Sequence, residues 1–394
     1  MKKIAIKSII LTGFITLGCY SSVFAWSSKE NVNTMDTHKT ISVQALNMIK
    51  NDLKLDSNVS KNIEILENNM DQYKKGSVAP DFGEVDIERD YRLYQDHFFD
   101  PDSNSNFTTS SLYPLYSIKD TAESQTVNYM GQAVASWKDG DYSNSVYLLG
   151  KALHYFEDLN EPHHALNWTG GPGTSHAGFE DYVEKEKDNF KISSMGEDKS
   201  EYNSYSDEPF YKFLSLQSIK YAKKAKGFKS KVSMKNSWDD WKNAAIGSMK
   251  NAQIGTASVV YRFLQEVSKN ENNSLTNPIG RFFVRIKTDN VSYAGTDDYM
   301  YFGMGFEDGK KLEVNCDVAG DDFTRNSNRA YQFTIKDSDY DVNKLNKIWI
   351  RKAKFAGDDW KGKEIELYMQ GKRIFKGTID RWMSGNDTYE ISLK

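Results

Sequence analysis

The spacing of apolar residues changes character once along this chain, and that change separates two parts that cannot share a fold. From His38 to about Val267 the spacing is helical. Ile41, Ala45, Leu46, Ile49 and Leu53 lie along one stripe. Val146, Leu149, Leu153 and Phe156 form a second, and Val259, Val260, Phe263 and Leu264 a third. The polar stretch 271–278, ending in Pro278, has the composition of a linker. Beyond it come short alternating runs at 282–286, 299–302, 331–335, 347–351 and 364–368, separated by turn signals such as Glu307-Asp308-Gly309 and Gln370-Gly371. The expected fold class is α + β multidomain. An all-α domain over 26–270 is followed by the linker and by an antiparallel β-sandwich over 279–394.

Residues 1–25 are set apart from both. A basic start with Lys2, Lys3 and Lys7, an apolar run from Ile9 to about Tyr20, and Ser21-Ser22-Val23-Phe24-Ala25 read as a secretory signal cleaved after Ala25. The apolar run is too short to span a bilayer. Thr16 stands where a lipoprotein signal before Cys19 would want a large aliphatic residue. The expected location is therefore secreted and extracellular. Cleavage leaves Cys316 without an intramolecular partner, so metals become the natural staples of the fold.

Fifty-one basic side chains against fifty-five acidic ones give a net charge of −4, which becomes −7 when the three leader lysines go. Such a balance disfavours a nucleic-acid partner held by bulk positive charge. All six histidines fall between positions 38 and 176. His154 and Asp158 are four apart on one helix face, and His176 and Glu180 repeat that spacing on the next helix. His164 follows Asp158 past Pro162, which should break the helix and turn the chain. Imidazole and carboxylate on facing helices are how bundles build metal sites, and the set suits zinc or another borderline divalent ion.

Three features together resemble the bacterial zinc-dependent phospholipase C family. They are Trp26 directly after a leader, the run Tyr94-Gln-Asp-His-Phe-Phe-Asp-Pro-Asp102, and His154-Tyr-Phe-Glu-Asp-Leu-Asn-Glu-Pro-His-His164. The tail, especially Ala294-Gly-Thr-Asp-Asp-Tyr-Met-Tyr-Phe-Gly303, is similar to the C-terminal domain of clostridial alpha-toxin. The resemblance covers essentially the whole mature chain and implies three zinc ions. Asp81, His97, His154 and Asp158 would surround one. Trp26, through its α-amine and carbonyl, would join His38 and the bridging Asp158 around the second. His164, His176 and Glu180 would hold the third, leaving His163 spare. Zinc needs an unprotonated free amine, which exists at Trp26 only after cleavage at Ala25. Glu157 departs from the Gly or Thr usual in the family and leaves every implied ligand in place.

The implied activity is a zinc-dependent phospholipase C, a phosphoric diester hydrolase with haemolytic potential. Its substrate would be phosphatidylcholine, with sphingomyelin as a second candidate. Zinc lowers the pKa of bound water and offsets the charge that builds on a phosphodiester, and Asp81 is the implied catalytic base. Phe82 is a candidate cation–π partner for a quaternary ammonium. In the tail, Asp297, Asp317, Asp321, Asp322 and Asp358 fall in loops, an oxygen-rich arrangement suited to calcium. Resemblance to PLAT/C2-like sandwiches adds Gly295, Thr296 and Gly320 to that set and implies Ca2+-dependent docking on phospholipid membranes. Tyr293 stands where alpha-toxin has an acidic ligand, and the loop 354–360 is about two residues short. Phe355 and Trp360 are the candidate membrane contacts. No nucleic acid and no obligate protein partner are expected. Two other readings share many of these residues: a trinuclear-zinc nuclease-type phosphodiesterase, and a non-catalytic membrane-binding toxin with structural zinc.

Overall fold

The computed structural model describes residues 26–82, 94–109, 120–170, 174–269, 275, 280–316, 322–335 and 340–393. The expected leader, and the linker apart from Leu275, lie outside the described residues. The helical part contains α1 (Thr37–Asp52), α2 (Ser57–Asn68), α3 (Met70–Gly76), α4 (Ala122–Lys138), α5 (Tyr142–Asp158), α6 (Pro162–Ala165), α7 (His176–Glu186), α8 (Phe210–Lys226) and α9 (Trp238–Val267). Their starts are chemically marked. The Asp36 side chain accepts the Lys39 N–H at α1, Asp141 accepts the Asn144 N–H at α5, and Ser237 and Asp240 form a reciprocal box at α9. The stripes read from the sequence meet in one core, where Leu46, Ile49, Leu149, Leu153, Phe156, Val260 and Phe263 pack together. Ile41 joins a neighbouring cluster with Trp26 and Phe179.

Helix α5 is the axis of this part. Its whole second half, from Leu148 to Asp158, is buried, so His154 and Asp158 end in the interior rather than on the surface. Helix α3 reaches α5 through facing glycines. A Cβ on Gly150 would lie 2.4 Å from the Tyr73 carbonyl oxygen, and one on Gly76 2.0 Å from that of Tyr147. This close approach sets the Ser77 carbonyl 2.9 Å from His154 Nδ1 and delivers the 3-10 turn Ala79–Phe82, with Asp81, beside it. Gly150→Ala is therefore expected to cost about 1–3 kcal/mol by overpacking. A lower urea midpoint with unchanged slope would show this; a wild-type midpoint would refute the crossing.

The second part is the expected antiparallel sandwich, with sheet orders β4-β1-β6-β7 and β3-β2-β5-β8. The strands are β1 (Arg281–Thr288), β2 (Tyr299–Phe306), β3 (Lys311–Asn315), β4 (Asn328–Thr334), β5 (Leu345–Ala353), β6 (Trp360–Met369), β7 (Lys372–Met383) and β8 (Asp387–Ser392). Between the sheets lie Val284, Ile286, Met300, Phe302, Ile348, Ile350, Ile365 and Leu367. All five expected strands are present; β3, β7 and β8 were not anticipated.

The two parts touch through α4 and the outer face of the β1-containing sheet. Arg281 makes a two-pronged pair with Glu123, at 2.9 and 2.8 Å, and Arg373 reaches Asp139 at 2.5 Å. Phe283 and Tyr368 stack at 4.3 Å and pack with Ala135 and Ala330. A Cβ on Gly131 of α4 would sit 3.2 Å from the Gly371 carbonyl oxygen, so small residues allow helix and β6–β7 turn to meet.

Candidate metal centre

Six elements converge on a buried cluster of histidines and carboxylates. His38 comes from the first turn of α1, Asp81 from the turn after α3, and His97 from the 3-10 turn Gln95–His97. Helix α5 ends with His154 and Asp158. The chain then turns, as Pro162 requires, into α6 with His164, while α7 opens on His176 and presents Glu180 one turn later. All eight side chains are essentially inaccessible to solvent.

Three sets of ligand atoms lie close enough for one ion each: His97, His154 and Asp158; His38, Asp81 and His154; and Glu161, His164, His176 and Glu180. The first two overlap. Asp158 Oδ2 is 2.8 Å from His97 Nδ1 and 3.4 Å from His154 Nε2, while its Oδ1 faces His38 Nε2 at 3.5 Å. Asp81 Oδ1 lies 3.5 Å from His154 Nε2 and 3.7 Å from His97 Nδ1. In the third set His176 Nε2 is 2.9 Å from Glu180 Oε1, and His164 Nε2 is 3.8 Å from the same oxygen.

The unmet bonding of this cluster fits cations. Both oxygens of Asp81, Oδ1 of Asp158, Oε1 of Glu180, and Nε2 of His38, His97, His164 and His176 are buried without a hydrogen-bond partner. Orphaned buried polar atoms cost on the order of 1–3 kcal/mol each, so eight in one place call for an absent partner. Burial holds the imidazoles of His38 and His97 far below their usual pKa, and takes His164 to about 3 and His176 to about 4. Burial pushes Asp158 and Glu180 well above the usual carboxylate range, with Asp81 adding to the first and Glu161 to the second. Neutral imidazole lone pairs beside carboxylates that need positive charge are the donor set of borderline divalent ions.

Several ring orientations are already fixed. His154 Nδ1 faces the Ser77 carbonyl at 2.9 Å, and His164 Nδ1 faces that of His97 at 2.8 Å, leaving each Nε2 toward the cluster. Trp26 is fully buried and donates its indole N–H to the Glu157 carbonyl at 2.9 Å, next to Asp158. Phe82, immediately after Asp81, is 43% exposed.

Two glutamates carry more than the sequence revealed. Glu161 joins the third set, caps α6 through the His164 N–H at 2.8 Å, and pairs with His163 Nδ1 at 2.8 Å. Burial opposes ionisation of both partners, but their mutual attraction prevails: Glu161 falls to about 2 and His163 rises. The spare histidine is thus half of a buried ion pair. Glu157, expected from sequence to leave the ligands in place but to alter their surroundings, is wholly buried against His38 and Ser42. Glu157 directly precedes Asp158, and Glu161 lies three residues from both Asp158 and His164, so nearness to ligands in sequence was the available signal.

In the sandwich, Gly295, Thr296, Asp297 and Asp358 lie at one end, in the loops before β2 and before β6, with Asp297 and Asp358 exposed. Asp317, Gly320 and Asp321 lie outside the described residues. Asp322 is buried, with Oδ1 3.4 Å from Arg329 Nη1. Phe355 is 54% exposed. Its loop is anchored by Asp298, which accepts the N–H groups of Phe355 and Gly357 at 2.5 and 2.9 Å and pairs with the buried ammonium of Lys352. The expectation for Trp360 is corrected. It is the first residue of β6, is fully buried in the sandwich core, and donates its indole N–H to Thr288 Oγ1 at 3.0 Å. Such a side chain cannot enter a bilayer.

Comparison with known proteins agrees with this geometry. The family model described as zinc dependent phospholipase C matches residues 37–252, and the PLAT/LH2 domain model matches residues 282–393. The chain is 37% identical to a phospholipase C of Clostridium perfringens over 94% of each chain, and 36% identical to one of Clostridium haemolyticum over the full length of both. Among solved structures, alpha toxin from Clostridium absonum superposes with a TM-score of 0.85 at 37% identity, over 94% of this chain and all of that one. A Clostridium perfringens alpha-toxin gives 0.81 at 36% identity, over 93% of this chain and all of its own. No helix among the described residues is long and apolar enough to cross a membrane. With buried ligand sets in its helical part and a PLAT sandwich behind them, this chain belongs to the zinc-dependent phospholipase C family and is a phospholipase C.

Proposed function

We propose that the chain is exported, loses residues 1–25, and acts outside the cell on choline phospholipids of membranes. It would release diacylglycerol and phosphocholine from phosphatidylcholine, and ceramide in place of diacylglycerol if sphingomyelin is also taken. The observation that carries this reading is the convergence of nine metal-type side chains, seven of them with orphaned buried atoms, in one cluster within a chain of this family.

Three zinc ions are assigned: one to Asp81, His97, His154 and Asp158; one to His38, Asp158 and the amine and carbonyl of Trp26; one to His164, His176 and Glu180, with Glu161 beside them. Zinc held there supplies Lewis-acid stabilisation of phosphoryl oxygens and a nucleophile at neutral pH. The side chains do the rest. Asp81, with both oxygens unpartnered, takes a proton as water adds to phosphorus. The bond from phosphorus to the glycerol oxygen breaks, and that oxygen leaves with the proton that Asp81 took from the water. Phe82, exposed beside Asp81, offers a ring face to the quaternary ammonium. At the sandwich end, Gly295, Thr296, Asp297 and Asp358 would supply oxygens for calcium together with Asp317, Gly320, Asp321 and Asp322, and exposed Phe355 would enter the lipid interface.

The test gives purified mature protein phosphatidylcholine vesicles, sphingomyelin vesicles and single-stranded DNA, each with and without a zinc chelator. Chelator-sensitive release of phosphocholine from phosphatidylcholine, with DNA intact, is expected. DNA cleavage without lipid turnover would favour the nuclease-type reading. No turnover of anything would favour structural zinc.

The amino terminus has its own test. One extra residue before Trp26 removes the amine ligand, and zinc content is expected to fall by one ion per chain with activity lost. Full content and activity in that variant would show that Trp26 is not a ligand.

A further inference from the structure

We propose that Glu157 is a positioning carboxylate of the metal centre, which holds His38 by its Nδ1–H so that Nε2 alone is offered to the ion shared with Asp158. The inference rests on the zinc assignment above and concerns a residue that assignment does not use. Glu157 Oε2 lies 2.7 Å from His38 Nδ1, and Oε1 accepts the Ser42 hydroxyl at 2.7 Å. Its backbone carbonyl accepts the Trp26 indole N–H at 2.9 Å, so one residue braces both partners of Asp158 in the second proposed site. All three side chains at this contact, His38, Glu157 and Ser42, are fully buried. On the far side of the ring, His38 Nε2 has no hydrogen-bond partner and points at Asp158 Oδ1, 3.5 Å away. The ring is also stacked on that of His154, centroids 4.1 Å apart, which fixes its plane.

The choice of acceptor matters. His154 and His164 are oriented by backbone carbonyls, which are dipoles. His38 is oriented by a side-chain carboxyl oxygen, the histidine–carboxyl pairing that fixes the tautomer and raises the basicity of the nitrogen opposite. A cation on Nε2 leaves Nδ1 able only to donate, and Glu157 has an oxygen in place to accept. Ser42, one turn further along α1, holds the second oxygen and so fixes the carboxylate plane.

Glu157→Gln keeps an acceptor for Nδ1–H and an amide for Ser42 but replaces the carboxyl group; Glu157→Leu removes every polar atom. Zinc affinity of the full mature chain is measured by chelator competition for wild type, both variants and His38→Ala, with thermal melts alongside. One ion is expected to bind about tenfold more weakly in E157Q and up to about a hundredfold in E157L, with the remaining ions unchanged. Ring 15N spectra of the zinc-loaded protein are expected to show His38 protonated at Nδ1 in wild type and E157Q. Wild-type affinity in E157Q, beside loss of an ion in H38A, overturns the role of Glu157 and leaves the zinc assignment standing. Undiminished zinc in H38A overturns that assignment and this proposal with it. Should E157L fail to fold, E157Q decides alone.

Discussion

Asp158→Asn is expected to lower turnover of both a soluble phosphocholine ester and phosphatidylcholine vesicles by on the order of a thousandfold or more. That is the rate equivalent of about 4 kcal/mol, the scale of transition-state stabilisation that metal ions supply. Asp158 is the residue whose two oxygens face different parts of the cluster: Oδ2 toward His97 and His154, Oδ1 toward His38. An amide of the same size puts a nitrogen donor at one of those positions and takes away the charge. His154→Ala should be severe for a related reason, because His154 belongs to both overlapping sets. Zinc content must be measured with the rates, and should fall by more in Asp158→Asn than in any single-histidine variant. Native metal and native turnover in Asp158→Asn would end the assignment.

Removing residues 271–394 should separate two activities. The fragment 26–270 retains every proposed zinc ligand and is expected to keep cleaving the soluble ester. Its action on packed vesicles should fall on the order of a hundredfold, the equivalent of about 3 kcal/mol of surface affinity, and lose any response to calcium. The cut exposes Ala135 and leaves Glu123, which is buried, without Arg281, so lower thermal stability of the fragment is also expected. Phe355→Ser in the full chain leaves that interface intact and should reproduce part of the vesicle defect, whereas Trp360→Ala should unfold the sandwich instead. Co-sedimentation with vesicles, with and without calcium, measures the effect. Equal vesicle cleavage by fragment and full chain would exclude a docking role for the sandwich.

Which parts of this molecule were legible beforehand follows from where burial falls. The expected runs include all four interior strands, β1, β6, β2 and β5, because their side chains must be apolar toward the core. Three of the four edge strands, β3, β7 and β8, escaped. Their burial patterns run almost wholly exposed or half-exposed, so residues such as Lys372, Lys376 and Asp380 erase the alternation. The metal centre was legible for a different reason. Helical spacing fixes His154 with Asp158 and His176 with Glu180, and likeness to a family supplied the distant members. What neither could give is the role of carboxylates beside the ligands. Glu157 and Glu161 become meaningful only when α1 and α7 are folded against the end of α5. Trp360 failed in the opposite direction: an aromatic residue after a polar loop looks exposed until the strand that it begins turns it inward.

Cys316 is the one cysteine among the described residues, is wholly buried in the sandwich core, and has its thiol pushed up in pKa by burial. A thiol so placed is neither nucleophile nor soft metal ligand. The described residues consequently carry no redox memory. Among the described residues there is no disulfide to be formed or reduced, and no accessible thiolate to compete with the imidazoles for zinc. The protein's melting temperature is therefore expected to be the same with and without a thiol reductant. Metal supply, rather than oxidant, would decide whether it stays folded.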